Sequence, residues 1–395
     1  MTDYRAKSYG RNEEVREILQ LFNAGKDVAM AGPRRLGKTF VLDRLVEAAS
    51  HHGWTAVKID VAGCGSRREF LRAMCGRIGG QRSGSAQAVT LVQQRLGQIL
   101  EPRTEASGEW YQPLISLDHE TYLERLVGCL NEDSERCWAL LIDELPIFLK
   151  TLHDQGQDGV KEARAFMNLT SRLREAHTRV RWMVTGSIGL EPLARAGNYM
   201  GVLAKYQAFT LAPLTEGQAV DFVKDLADAG RLPRRKALSD AEARALVNAV
   251  GWRAAYYLDA LAMKLPGGTP DDDPARAETL VEQAVRQLLQ PGDGAAFGVW
   301  EEHLHKHYAD SERRLAFSLL QVLATGPAAL PFDTLLASIG SPDTTRDHLR
   351  RLLSRLHVEG FVGIADLDSD NPTVTFLNPL LRRWWKRFPP SAVAA

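Results

Sequence analysis

Cysteine is scarce in this sequence. Four residues in 395, Cys64, Cys75, Cys129 and Cys137, form no C-x-x-C pair and no disulfide-like density, which points to a reducing compartment. Net charge is absent too. The 49 basic and 49 acidic side chains balance, so there is no global polyanion-binding signature. No apolar run approaches the length of a membrane span. The opening residues Met1-Thr2-Asp3-Tyr4-Arg5 lack the apolar core of a signal peptide. These absences lead to the expectation of a soluble cytoplasmic protein with no membrane partner. Internal repeats and nuclease or protease motifs are also missing, so any effector is expected to be a separate protein. What is present is bulk: 45% hydrophobic residues over a length that accommodates two or three domains.

The informative segment is Gly32-Pro33-Arg34-Arg35-Leu36-Gly37-Lys38-Thr39, which fits G-x-x-x-x-G-K-[ST], the P-loop pattern. Asp27-Val28-Ala29-Met30-Ala31 before it suits a buried parallel strand. Phe40, Val41, Leu42, Leu45 and Val46 after it repeat at helical spacing. Strand, glycine turn and helix bring backbone N–H groups and a helix N-terminus to one point, where phosphates are favoured. Gly32 and Gly37 permit the tight path, Lys38 neutralises phosphate charge, and the Thr39 hydroxyl suits Mg²⁺. The expected ATP-binding set is therefore Gly32 through Phe40.

Downstream, the apolar run Cys137–Ile142 ends in Asp143-Glu144. That is a Walker B arrangement, with Asp143 a metal ligand and Glu144 the group that orients or deprotonates water. The next strand ends in Thr185-Gly186-Ser187. Thr185 or Ser187 is placed to meet a γ-phosphate or the attacking water, the alternative being a strand-to-helix turn with a serine cap. One of Arg34 and Arg35 is placed to reach a phosphate or a neighbouring subunit; the alternative is that both face solvent or pair with acids on the surface. Arg164, Arg172 and Arg174 read as a solvated helix face before a trans-acting finger. His303, His305 and His307 lack a further well-spaced ligand and read as helix surface rather than a metal site. Trp384-Trp385 reads as terminal-helix core before a base-stacking pair.

Strands at 54–61, 137–142, 180–187 and 205–211, separated by helical stretches, predict a parallel α/β sheet. Helical patterns are also expected around 70–78, 89–100 and 123–130, with loops at 79–90 and 102–112. From Pro213 onward the pattern is helical, at 215–229, 239–249, 252–264 and 275–290. The last part reads helix, helix, helix, two strands, helix, with the third helix over 343–359 and the two strands over 361–364 and 373–376.

Four features resemble a known group, the archaeal-type P-loop ATPases related to STAND signalling ATPases and origin-recognition-type AAA+ proteins. Tyr9-Gly10-Arg11 with Glu14 looks like the group's opening box, slightly shortened. The Arg-rich P-loop, Leu141-Ile142-Asp143-Glu144 and Val184-Thr185-Gly186-Ser187 are similar to its later motifs. The resemblance implies a P-loop parallel sheet with helices on both faces (1–212), a helical lid (213–310) and a C-terminal winged helix (311–395). It also implies adenine contacts from Tyr9, Gly10 and Arg11. The group's lid carries Gly-x-Pro near the nucleotide; here Gly251-Trp252-Arg253-Ala254-Ala255 has no proline, and Arg253 stands as a candidate phosphate sensor or a plain surface arginine.

Together these readings imply an ATP- and Mg²⁺-dependent P-loop ATPase. The expected role is a molecular switch that couples nucleotide state to homo-oligomerisation or to an effector protein. The alternative is a DNA-binding ATPase whose third C-terminal helix, with Arg346, Arg350, Arg351 and Arg355, contacts duplex DNA. From Arg313 onward ten Lys/Arg meet seven Asp/Glu, and Asp366, Asp368 and Asp370 at the expected wing tip would repel phosphates. That balance favours a protein partner.

Overall fold

Five short strands make one parallel sheet: β1 (Val28–Ala31), β2 (Trp54–Asp60), β3 (Cys137–Asp143), β4 (Val180–Thr185) and β5 (Gln207–Thr210), in the order β2-β3-β4-β1-β5. The computed structural model describes residues 11–79, 119–291, 295–339, 345–366 and 368–389. The sequence-expected helix at 89–100 and most of its flanking loops lie outside them, as do Tyr9 and Gly10. The chain divides into two units. One holds Arg11–Gly32 and Lys38–Leu211; the other includes Pro33–Gly37 and Ala212–Ala395.

In the sheet unit, β3 and β4 are buried along almost their whole length, as continuous apolar runs in a covered parallel sheet should be. Among the described residues, six longer helices accompany the strands: α1 (Asn12–Asn23), α2 (Lys38–Ala49), α3 (Arg67–Gly79), α4 (His119–Asn131), α5 (Leu145–His153) and α6 (Gln157–Ala176). The short α7 (Leu190–Gly197) and α8 (Met200–Leu203) lead into β5. Phe70 of α3, Phe148 of α5 and Phe166 of α6 form a ring cluster with centroids 4.8–5.4 Å apart. They belong to the same core as Leu140, Ile142, Trp182 and Val184, so the strand ends that carry the candidate site rest on a packed aromatic floor.

A buried ion network ties the far end of the sheet together. Asp27, just before β1, accepts hydrogen bonds from Arg174 Nε at 2.7 Å and from the Trp182 backbone N–H at 2.8 Å; Arg181 lies 3.8 Å away. The Arg174 guanidinium sits 3.7 Å over the Tyr206 ring, and burial pushes the Tyr206 phenol up to about 12. Arg174 is thus not on a solvated helix face; it is 5% exposed and compensated by an anion 147 residues away in sequence. Asp27→Ala strands one buried guanidinium and weakens the site of another. We expect a loss of about 3–5 kcal/mol, read as an apparent Tm lower by about 10 °C. A fall of only a degree or two would mean that water replaces the carboxylate.

The second unit is mostly helical: α9 (Glu216–Asp228), α10 (Asp240–Val250), α11 (Ala255–Ala262), α12 (Pro274–Leu288), α13 (Ala295–His307), α14 (Asp310–Thr325), α15 (Phe332–Ile339), α16 (Arg346–Glu359) and α17 (Pro379–Arg387). Thr215 with Gln218, and Ser239 with Glu242, close reciprocal capping boxes at the starts of α9 and α10. A three-stranded antiparallel sheet, β6 (Ala329–Pro331), β8 (Thr373–Phe376) and β7 (Val362–Ala365) in that order, accompanies the last helices. The three-residue β6 is not predictable from periodicity. Trp384 and Trp385 are buried in this unit.

His303 departs from its sequence expectation. It is fully buried rather than on a helix surface, and its Nε2 lies 2.8 Å from Glu359 Oε2. Tyr308 and Arg355 also donate to Glu359, while Arg355 reaches Glu312. Arg355 is therefore committed inside the unit. Arg346 pairs with Asp333, and Arg350 donates to the Asp370 carbonyl at 3.1 Å. Among the described residues, no group of three or more His, Cys, Asp or Glu is arranged to hold a metal ion, and no helix is long and apolar enough to cross a membrane.

Candidate nucleotide site

The parallel sheet determines where the site lies. Met30 of β1 pairs with Thr185 of β4, and Asp60 of β2 with Asp143 of β3, so four strands end level at their carboxyl edge. In open α/β sheets that edge is where ligands bind.

After β1 the backbone makes the tight turn that the motif predicts. Gly37 has φ 100°, in the region that favours glycine, and Arg35 also adopts a left-handed φ of 68°. Lys38 opens α2, is 6% exposed, and donates from Nζ to the Gly32 carbonyl at 2.6 Å. Thr39 follows and donates from Oγ1 to Asp143 Oδ2 at 3.0 Å.

Asp143 ends β3 and is only 4% exposed. Its other oxygen, Oδ1, accepts from Thr185 Oγ1 at 2.5 Å. Glu144 accepts from both the backbone N–H and the Oγ of Ser187, each at 2.9 Å, on the single oxygen Oε2. The end of β4 thus engages both acids, Thr185 holding Asp143 and Ser187 holding Glu144. Asp143 is buried with a hydroxyl on each oxygen, and an oxygen-only set of this kind suits a hard cation such as Mg²⁺.

The intervening Gly186 is required by close approach. A Cβ there would lie 2.4 Å from Pro146 Cγ, just inside α5. Pro146 lies two residues after Glu144, whose φ of 61° and ψ of 32° are left-handed, a conformation that surrounding contacts must enforce. Gly186→Ala should force this junction apart. We expect about 1–3 kcal/mol of destabilisation, read by thermal melting. A wild-type melting temperature would show that Pro146 yields freely.

No protein-family model matches the sequence, and no curated protein matches it. Solved structures do. The Walker-type ATPase of Pyrococcus abyssi superposes with a TM-score of 0.63 at 16% identity, covering 96% of this chain and 96% of that one. The Aeropyrum pernix ORC2 protein, in its ADPNP–ADP complexes, gives 0.53 at 14% identity over 93% and 90%. The fold is that of a Walker-type P-loop ATPase.

The other sequence-expected residues of this P-loop ATPase fold do not all gather at the strand ends. Arg11 is buried and pairs with Glu14 at 2.6 Å. Leu36 is buried, while Pro33, Arg34 and Phe40 are half-buried. The Arg35 guanidinium lies 4.1 Å from the Tyr256 ring centre within the second unit. Arg253 donates from Nε to the Leu214 carbonyl at 2.8 Å. Arg164 donates to the Gly197 carbonyl at 2.6 Å, and Arg172 is exposed. One residue was overlooked. Asp60 ends β2 beside Asp143 in register, exposed, with its carboxylate bonded to the Ala62 N–H at 2.9 Å. Its only sequence signal was its place at the end of an apolar strand.

Proposed function

We propose that this chain binds ATP with Mg²⁺ and hydrolyses it slowly, as a molecular switch that couples nucleotide state to oligomerisation or to a partner protein. The observation that carries the reading is the 3.0 Å junction of Thr39 with Asp143, residues 104 apart in sequence, next to a buried Lys38. In this reading Gly32 through Phe40 cradle the triphosphate and Lys38 neutralises it. Tyr9, Gly10 and Arg11 meet the adenine. Thr39 and Asp143 are the oxygen ligands for Mg²⁺, which supplies charge neutralisation at the phosphates. Glu144 accepts a proton from water as its oxygen bonds to the γ-phosphorus and the bond to ADP breaks. Thr185 and Ser187 act through the two acids.

The reading divides the chain into a P-loop ATPase domain (1–212), a helical lid (213–310) carrying Arg253, and a winged-helix domain (311–395). Helices α14, α15 and α16 followed by the β7–β8 hairpin support the last of these. A switch needs contacts that differ between nucleotide states, and the γ-phosphate supplies them. Arg346 and Arg350 already face Asp333 and Asp370, which favours a protein partner over duplex DNA.

Steady-state phosphate release by the full chain, with and without Mg²⁺ and duplex DNA at low salt, tests the reading. We expect slow, Mg²⁺-dependent turnover indifferent to DNA. Failure to bind ATP would overturn the site, and acceleration by DNA would overturn the partner assignment.

A further inference from the structure

The crest of the P-loop, Pro33–Gly37, groups with Ala212–Ala395 in the second unit. Two of its residues make contacts there that phosphate chemistry alone does not require. Pro33 packs on the backbone of Gly360, just past the end of α16, where a Cβ would lie 2.3 Å from Pro33 Cβ. Arg35 holds its guanidinium 4.1 Å from the ring centre of Tyr256 on α11. Both seats stand on one aromatic cluster. Tyr256 meets Tyr257 edge-on at 5.1 Å, and Tyr257 Oη accepts from Trp300 Nε1 at 2.5 Å. Trp300 in turn meets Phe361, the residue after Gly360, at 4.8 Å. Tyr257, Trp300 and Phe361 are fully buried, so one packed core supports both seats.

The loop's own backbone shows why a seat is needed. A phosphate nest needs left-handed residues set among right-handed ones, so that successive N–H groups converge. In this loop the left-handed residues are Arg35, at φ 68°, and Gly37, at φ 100°. Gly37 takes that conformation without steric cost, whereas Arg35 carries a Cβ and does not. A non-glycine residue persists there only when its surroundings hold it. The Tyr256 ring supplies such a hold, as a cation–π pair with the Arg35 guanidinium.

We propose that Tyr256 is a positioning residue for nucleotide binding. By holding Arg35 in its left-handed turn, it keeps the phosphate nest formed before ATP arrives. The inference rests on the ATP-binding reading above and names a contact through which the second unit sets ATP affinity. Linkage makes the effect reciprocal: a triphosphate in the nest tightens the hold of Tyr256 on the loop.

The test is ATP binding with Mg²⁺, by calorimetry, to the full chain carrying Glu144→Gln so that no turnover intervenes. Thermal melting without nucleotide is the control for the fold. Tyr256→Leu should weaken ATP binding about tenfold, while Tyr256→Phe, which keeps the ring face, should stay within about twofold. Arg35→Ala should weaken binding by a similar factor, and Arg35→Gly should recover most of it, because glycine takes the turn unaided. In the Arg35→Gly chain, Tyr256→Leu should then change affinity by less than about twofold. The Arg35 pair of variants reads the effect if Tyr256→Leu fails to fold. Unchanged affinity in Tyr256→Leu, or an equal loss from it in the Arg35→Gly chain, overturns the positioning role. Arg35→Gly as weak as Arg35→Ala overturns it too, and points to a direct contact of Arg35 with phosphate. Failure of the Glu144→Gln parent to bind ATP overturns the ATP-binding reading itself, and this inference with it.

Discussion

Glu144→Gln should bind ATP as tightly as the wild type and release phosphate about 10²- to 10⁴-fold more slowly. The asymmetry follows from what the substitution keeps. An amide has nearly the shape of the carboxylate, and its carbonyl oxygen still accepts from Ser187 N–H and Oγ, now 2.9 Å from Glu144 Oε2. The left-handed backbone at 144 and the Pro146–Gly186 contact do not depend on charge. Lys38, Thr39 and Asp143 are untouched, so the proposed phosphate and metal ligands stay in place, and only the proposed proton acceptor is lost. Calorimetry for affinity and a phosphate-release assay for rate separate the two readouts. Equal turnover in the variant would move the base elsewhere, and Asp60, level with Asp143 at the strand ends, would be the next residue to replace.

The parts of this molecule legible in its sequence are those in which chemistry and geometry share a local pattern. The P-loop reads from eight consecutive residues because one turn, one lysine and one hydroxyl all lie within it. Asp143 and Glu144 read from the apolar run before them, since a parallel strand buried on both faces must be continuous. The partners of Thr185 and Ser187 are not legible. One or the other is expected to meet a γ-phosphate or water, with a strand-to-helix turn as the alternative, and the acids that both residues hold lie more than forty residues upstream, fixed only by the β3–β4 register. Arg174 and His303 were misread for the same reason. Each looks like a surface residue by helical spacing, because the carboxylates that bond them, Asp27 and Glu359, are remote in sequence. Burial of a polar or charged side chain is decided by its partner, and single-chain periodicity does not report partners. Strand β6 was missed because three residues carry no period, and only pairing with β8 makes them a strand.

Lys38→Ala should cost more at the binding step than any other single change in the site. Lys38 is buried and its ammonium is already directed, donating to Gly32 O at 2.6 Å, so the charge is placed before any ligand arrives. Removing one partner of a desolvated charge contact costs about 2–5 kcal/mol, or about 30- to 5,000-fold in affinity. The backbone N–H groups and the start of α2 remain, which is why binding is weakened rather than rendered impossible. The fold itself should tolerate the change, since alanine is the better helix former and the freed Gly32 carbonyl lies on a half-buried residue. Arginine should not rescue it, because a planar fork does not replace a compact ammonium in this turn. Thermal melting distinguishes a lost site from a lost fold. At about one hundred times Kd, ATP stabilises the wild type by about 2.7 kcal/mol, a shift that K38A should lack while melting normally without nucleotide. An ATP-induced shift of wild-type size in K38A would place the triphosphate somewhere other than this loop.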